Sequence, residues 1–425
     1  MTQDPRTPDT CEDPPRDELS TAEARTRILG AVPPVAERER LALGDALGRV
    51  IAADVPSPID VPGHTNSAVD GYALRGDELA KGARFEIVGR ALAGHPFDGA
   101  LLPGTCVAIT TGAAVPEGAD TVVMQEDSDA RETDVVIQRA CRRGDNVRQA
   151  GEDIPAGGIV ARTSDRITPP LLGVLASLGL GEVEVYGRPR VAVFSTGDEI
   201  REPGESLPRG CVYDSNRYTL RALLADSGVE IVDLGLIPDD RDQLRHALSE
   251  AAAVSDAILT SGGVSVGEAD FVKAILAELG AVAFWKLAIK PGRPLTFGTL
   301  GKSLFFGLPG NPVAAMVTFL QFVQPALEQL SGATPQPPVR LRARCRDRLR
   351  KRPGRREFQR AILSRDASGR LEVALTGRQG SGVLTSMSLA NCLIVLTEEQ
   401  ESVDPGTEVG VELLPWAGIV TAASA

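Results

Sequence analysis

The chain is poor in the residues from which most metal and redox centres are built. It has three histidines, His64, His95 and His246, and none stands at a metal-ligand spacing from another. A metal here needs oxygen ligands, which makes magnesium the default expectation. The six cysteines, at 11, 106, 141, 211, 345 and 392, form no C-x-x-C pair. That argues against a zinc ribbon or a disulfide framework, and for reduced thiols in a cytoplasmic protein. No run of about eighteen apolar residues occurs, so no membrane association by a spanning helix is expected. The opening residues, "MTQDPRTPDTCEDPPRDELS", lack the features of a signal or transit peptide and have the acidic, proline-bearing composition of a disordered arm. Basic residues are in deficit, 45 Lys and Arg against 57 Asp and Glu for a net charge of -12, which argues against a dedicated nucleic-acid binder. A nucleophile elbow and a Walker A loop are missing too. No Gly-x-Gly-x-x-Gly opens a helix after a strand, which argues against a Rossmann dehydrogenase.

What is present fills several domains: 425 residues suggest roughly three at ~150 residues each. After an acidic arm over 1–19, "STAEARTRILGAV" reads as a helix capped by Ser20, and "ERERLALGDALGRVIAADV" as a helix passing into a strand. Residues 58–148 are glycine-rich, with short β-branched runs such as "RFEIVGRAL", "TCVAITTGA" and "DTVVMQED", the pattern of a mostly β domain. It is expected as an insertion in a helical linker domain made of 20–57 and 149–187, because "TPPLLGVLASLGLGEVEVY" returns to helix and strand. From 188 to 332, strand, loop and helix alternate, which predicts a doubly wound α/β domain with a parallel-rich sheet whose ligands sit at the carboxyl ends of the strands. Residues 333–425 alternate polar and apolar residues between glycine turns, which predicts a C-terminal β-barrel, with a sandwich as the alternative.

The strand ends of the α/β segment carry unusual loops. "SGGVSVGEAD", beginning at Ser261, joins glycines suited to cradling an anion with Glu268 and Asp270, which repel one. A cation shared by phosphate and carboxylate resolves the conflict. Glu199 of "STGDE" and Asp239 and Asp240 of "PDDR" add oxygen ligands of the same kind. Any one loop alone is more often a turn with a helix cap; several at one sheet edge favour a site. "KPGRP" holds Lys290 and Arg293 in a proline-bracketed loop that suits a compact oxyanion, and Lys286 either joins them or solvates its strand end. "LPGNP", with Pro309 and Pro312, follows a further strand. Asp70 of "NSAVDGYALR" reads, on its own, as a turn residue. Arginine at even positions from 340 to 352 gives period two, with Val339, Leu341, Ala343, Cys345 and Leu349 expected toward the core and the arginines on a solvated strand face.

Taken in order, "NSAVDGYALR", "ITTGAAVPEGADTVVMQED", "AGEDI", "STGDEI", "YDSNRYTL", "TSGGVSVGEADF", "KPGRPLTFG", "GLPGNPVA" and "SMSLANCLIVL" resemble the molybdopterin molybdenumtransferase (MoeA) family, to which the gephyrin E domain is related. The resemblance runs from about Ser20 to about Leu414. It implies a molybdopterin-binding-like α/β domain, a homodimer, and insertion of molybdate into adenylylated molybdopterin with magnesium-dependent release of AMP. It further implies that Ser261, Gly262 and Gly263 bind phosphate, with Pro309 and Pro312 also on the cofactor-binding side, and that Glu199, Asp239 and Asp270 surround magnesium. Lys286 and Lys290 are carried over as catalytic residues. Asp70, Thr111, Arg148 and Asp153 are implied to face the α/β domain of a partner chain, and Lys290, Arg293, Arg360 and Ser386 to form the molybdate pocket. A molybdopterin adenylyltransferase and molybdoenzyme chaperones are the implied further partners. Arg293 stands where lysine is frequent, Ala314 where many members have serine, and Val69 where methionine is frequent; the lost hydroxyl at Ala314 is expected to weaken oxyanion binding. Two other readings are a scaffold, as in the gephyrin branch, and an adenylylating enzyme. Clustered carboxylates and cations favour chemistry over a scaffold, and the extra β domains favour insertion over adenylylation.

Overall fold

The computed structural model describes residues 18–139, 141–262, 270–416 and 420–421. The acidic arm through Asp17, Gly263 and Glu268 lie outside them, as does the side chain of Asp270. Two compact units are formed, Met1–Arg38 with Tyr186–Ala425, and Glu39–Val185.

The larger unit contains β1 (Glu18–Leu19), α1 (Thr21–Ala31), β2 (Arg190–Thr196), α2 (Ser215–Asp226), β3 (Glu230–Ile237), α3 (Arg241–Val254), β4 (Ala257–Ser261), α4 (Asp270–Leu279), β5 (Gly280–Leu287), β6 (Ile289–Lys290), β7 (Pro294–Leu300), β8 (Ser303–Leu308) and α5 (Pro312–Thr318). A seven-stranded sheet runs in the order β1-β5-β7-β8-β4-β2-β3. Its β8, β4, β2 and β3 are parallel and its β7 and β5 antiparallel. Unbroken apolar runs such as Ala257-Ile258-Leu259 belong at the centre of such a sheet, where both faces are covered. Val191, Val193, Leu259 and Phe306 pack on one face with Leu220, Leu224, Val313 and Val317, and Ala24 and Ile28 of α1 join that core. Ala192, Phe194, Ile258 and Phe305 pack on the other with Leu244, Leu248, Ile275 and Leu276. Ser20 caps α1 in a reciprocal box with Glu23, and Pro312 occupies the first turn of α5.

The helical segment that opens at Pro312 is interrupted by a π segment, Phe319–Val323, before Gln324–Leu330. Pro325 supplies no N–H to the Gln321 carbonyl four residues back. The Arg25 guanidinium takes that place, donating from Nη2 at 3.0 Å and Nε at 3.3 Å.

The same unit continues as β9 (Arg340–Cys345), β10 (Arg356–Arg365), β11 (Leu371–Leu375), β12 (Cys392–Leu396) and β13 (Glu408–Leu413). These five strands close on themselves in the order β10-β11-β9-β13-β12-β10, which settles the barrel over the sandwich. Ala343, Cys345, Leu349, Ala361, Leu363, Val373 and Ile394 fill it. Val339 does not face this core: it is 61% exposed, because it precedes the first residue of β9 and the alternation has no strand to act on. The short β6 pairs in parallel with β10, placing Lys290 opposite Glu357.

In the smaller unit a six-stranded sheet is built from Thr121–Met124, Gly71–Leu74, Thr105–Ile109, Arg84–Ala91, Asp134–Ile137 and Ser128–Ala130, in that order. The helix expected in "ERERLALGD" is instead a strand, Arg38–Ala42, paired with Glu182–Tyr186, and a single 3-10 turn, Leu43–Asp45. Its burial alternates residue by residue, a period of two that outweighs helix propensity once a partner strand is available. Pro169–Ser177 forms the unit's α-helix, with Thr168 as its cap.

Candidate functional site

The carboxyl ends of β2, β4 and β8 converge on the first turn of α2. Asn216 donates from Nδ2 to Ser261 Oγ and to the Gly310 carbonyl, each at 2.7 Å. Ser261 Oγ in turn donates to the Pro309 carbonyl at 3.3 Å. Gly262 has φ +91°, and a β-carbon there would stand 2.6 Å from the Thr196 carbonyl oxygen, so only glycine fits. Ser195, fully buried, donates to Asp214 at 3.1 Å. Asp214 also caps α2 through the Arg217 amide at 3.0 Å and takes Arg217 Nε at 3.1 Å. Arg217 reaches Asp233 at 2.8 Å and pairs with Glu202 as well. Burial opposes the Arg217 charge, but its bonds to Asp233 and Asp214 outweigh that and hold its pKa above the ordinary value. Asp214, Asn216 and Arg217 received no role from the sequence. The available signal was "YDSN", a capping pattern placed at a strand end.

Thr196 Oγ1 donates to Asp239, which is exposed, as is Glu199. Asp240 is a helix cap, accepting from the amides of Asp242 and Gln243 at 3.1 and 2.9 Å. Among the described residues no three His, Cys, Asp or Glu side chains gather as a metal cage. Glu199 and Asp239 are hard oxygen donors open to solvent, which fits a magnesium ion that keeps several of its waters.

A second locus lies at the barrel. A cleft of about 360 Å3 is lined by Lys290, Pro291, Arg348, Arg350, Glu357, Phe358, Gln359, Arg360, Leu375 and Gln379. Arg360 is 1% exposed. Its Nε donates to Ser386 Oγ at 3.1 Å and its Nη2 to the Gly380 carbonyl at 3.0 Å. Both partners are neutral, and burial draws the guanidinium pKa down to about 10. Ser386 Oγ donates to the Val383 carbonyl at 2.6 Å, so it orients Arg360 and keeps its own proton engaged. Lys290 Nζ donates to Glu357 Oε1 at 3.2 Å.

Arg293 is placed elsewhere: it pairs with the buried Glu18 carboxylate, which Arg355 also approaches at 3.5 Å, and it is not among the residues lining the cleft. Lys286 is exposed on β5, in register with Glu18 and Pro294. Ala314 is buried beside the same loop, its carbonyl 3.4 Å from where a β-carbon on Gly292 would stand.

In the smaller unit, Asp70 and Thr111 meet directly. Asp70 Oδ1 accepts from the Thr111 amide at 2.7 Å and from Thr111 Oγ1 at 2.9 Å. The amide bond, then the hydroxyl bond, hold the Asp70 carboxyl below its usual pKa. Asp70 closes the bend of residues 68–70, and Gly71 then opens a strand so close to its neighbour that a β-carbon would stand 1.9 Å from the Val123 carbonyl oxygen. Arg148 and Asp153 are exposed, Arg148 opposite Asn66 in a two-stranded pair.

A doubly wound sheet with a polar carboxyl edge, a five-stranded barrel and a cleft with several cations beside it mark a multidomain α/β-plus-barrel protein whose surfaces suit anionic small molecules. Family models match along the chain: the MoeA N-terminal region (domain I and II) over 19–179, a probable molybdopterin binding domain over 192–329, and the MoeA C-terminal region (domain IV) over 342–414. A molybdopterin molybdenumtransferase of Haemophilus influenzae is 41% identical over 93% of this chain and 98% of its own length. Gephyrin of Dictyostelium discoideum is 33% identical over 89% of this chain and 60% of its own. The crystal structure of a molybdopterin biosynthesis MoeA protein from Pyrococcus horikoshii superposes with a TM-score of 0.81 at 27% identity, covering 93% of this chain and all of that one. The chain belongs to the MoeA family of molybdopterin molybdenumtransferases.

Proposed function

We propose that the protein carries out the closing step of molybdenum cofactor synthesis, hydrolysing adenylylated molybdopterin to release AMP and placing molybdate in the dithiolene. The observation that carries this reading is Arg360: a buried guanidinium with only neutral partners, on the wall of a cleft it shares with Lys290. A cation so placed calls for an anion, and a small cleft that Lys290, Arg348, Arg350 and Arg360 line suits a tetrahedral dianion such as molybdate. Ser261, Gly262 and Gly263 receive the phosphate, where glycine lets it approach the backbone closely. Pro309 and Pro312 set the loop that carries Gly310 beside them. Magnesium, when bound, neutralises phosphate charge; Glu199, Asp239 and Asp270 are its proposed ligands, with Thr196 fixing the Asp239 carboxylate.

The reading extends to a cytoplasmic homodimer of four-part chains. In it Asp70, Thr111, Arg148 and Asp153 of one chain complete the α/β edge of the other. Arg293 and Lys286 contribute charge to the approach, and the adenylyltransferase that supplies the substrate and the chaperones that take the product are its partners. The test is AMP release from adenylylated molybdopterin by the purified full chain with magnesium, with and without molybdate. Molybdate-dependent release with formation of active cofactor is expected. Conversion of molybdopterin and ATP to the adenylylate, with no release of AMP from it, would replace insertion by adenylylation. Mixing an Asp70→Ala chain with an Asp239→Ala chain tests the shared site, since one intact edge should reappear in each mixed dimer.

A further inference from the structure

The cationic cleft also contains a carboxylate. Glu357 is 5% exposed and lines it beside Lys290, Arg348, Arg350 and Arg360. A charge of that sign facing the space meant for a dianion opposes binding. It lies on the inward side of β10, two and four residues from Gln359 and Ala361, where the next members of the series, Ala361 and Leu363, are barrel core. An apolar residue would continue that series, so packing alone does not account for the carboxylate.

Its contacts do. Oε1 accepts from Lys290 Nζ at 3.2 Å and Oε2 from Gln359 Nε2 at 3.0 Å. Lys351, the buried ammonium at this end of the barrel, gives its protons to the carbonyls of Arg352, Glu398 and Gln400, and Glu357 acts on its charge without a hydrogen bond. Lys290 is thus the cation Glu357 holds, and the two stand opposite each other in the β6–β10 pair. The Lys290 side chain is 59% exposed against 7% for Glu357, so the ammonium can turn to another anion while the carboxylate stays.

We propose that Glu357 is an internal counter-anion of the cleft. It holds Lys290 while the cleft is empty and yields the ammonium to an arriving tetrahedral dianion. Its own charge keeps that dianion loosely bound, ready to be passed to the dithiolene. This rests on the oxyanion reading of the cleft. Removing one negative charge roughly 6 Å from a dianion strengthens binding roughly tenfold even at the dielectric of bulk water, and by more in a protein, so tenfold is the lower bound.

The experiment is calorimetric titration of the full chain with sodium molybdate, in wild type, Glu357→Gln, Lys290→Met, the double variant and Arg360→Ala. Glu357→Gln should bind at least about tenfold more tightly, and the gain should shrink in the Lys290→Met background, because part of it comes from freeing Lys290. A purely structural Glu357 would lower the melting temperature and leave both quantities unmoved. Equal or weaker binding by folded Glu357→Gln, with binding lost in Arg360→Ala, overturns this inference and leaves the cleft assignment standing. Binding that survives Arg360→Ala overturns both. Should Glu357→Gln fail to fold, Gln359→Leu strips one bond from the carboxylate and must weaken molybdate binding; unchanged affinity there refutes the counter-anion.

Discussion

Replacing Arg360 by alanine should abolish most molybdate affinity while changing the empty protein little. Of the five N–H donors of a guanidinium, the bonds to Ser386 and Gly380 engage two, leaving three for the cleft. A charge-assisted hydrogen bond contributes about 1.5–3 kcal/mol, and truncating one member of a buried charged pair costs about 2–5 kcal/mol. A loss of about 3 kcal/mol corresponds to a rise of roughly 150-fold in the molybdate Kd. Stability moves less. The variant leaves the Gly380 carbonyl without its donor, about 1–3 kcal/mol, but also removes a buried charge that only neutral groups compensate. Arg360→Lys keeps the charge and loses the planar fork, so about a tenfold weakening is expected. Titration with molybdate, and melting with and without it, measure both effects. A folded Arg360→Ala protein whose molybdate Kd stays within about threefold of wild type would remove this residue from anion binding, and with it the main support for the cleft.

Other expectations follow from single contacts. Because burial draws the Arg360 pKa to about 10, molybdate affinity should fall as pH rises through that value. The unfolded value lies higher, so the unfolded chain binds more protons between the two and this residue's contribution to stability rises with pH across that window; affinity flat to pH 11 would contradict the assignment. Gly262→Ala forces a β-carbon against the Thr196 carbonyl at positive φ and should cost about 1–3 kcal/mol of stability by thermal melting; an unchanged melt would mean the loop relaxes freely. Thr111→Val removes the hydroxyl bond to Asp70, so the carboxyl should titrate nearer its ordinary value by NMR. With the folded pKa depressed, the stabilisation it reports is present above the unfolded pKa and lost as pH falls through the folded one; an unmoved titration would assign the depression elsewhere. Asn216→Ala cuts the link between Ser261 and Gly310 and should raise KM for the adenylylated pterin while leaving molybdate half-saturation in place; equal loss of both points to a folding defect.

The strand and helix succession from Arg190 onward was legible because the central strands carry apolar runs such as Ala257-Ile258-Leu259 and because α2 and α3 begin at the side-chain caps Asp214 and Asp240. The strand Arg38–Ala42 was hidden, because Arg, Glu, Leu and Ala are all strong helix formers, and only the distant partner Glu182–Tyr186 decides for the strand. The π segment was hidden for a similar reason: Pro325 is visible, but the Arg25 guanidinium that takes over from its missing N–H lies nearly three hundred residues away. At the site, sequence supplied residue types and structure supplied pairings. Lys290 and Arg360 share a cleft, while Arg293 is turned to Glu18. The arginine stripe read correctly as an exposed face for Arg342, Arg344 and Arg346. Arg348 and Arg350 gain a cleft to line because β6 and β10 meet there, a pairing no local pattern announces.

The two-residue strand β6 gives its ladder bonds to the barrel while its neighbours on either side belong to the α/β sheet. The cleft is therefore a property of the seam and belongs to neither module alone. An inserted or deleted residue between Leu287 and Pro294, or in the approach to Arg356, slides Lys290 off Glu357 and rotates its side chain to the opposite face. The lengths of these segments are consequently under tighter constraint than their composition. Each fold could tolerate drift separately, yet the two must change in step for the cleft to persist.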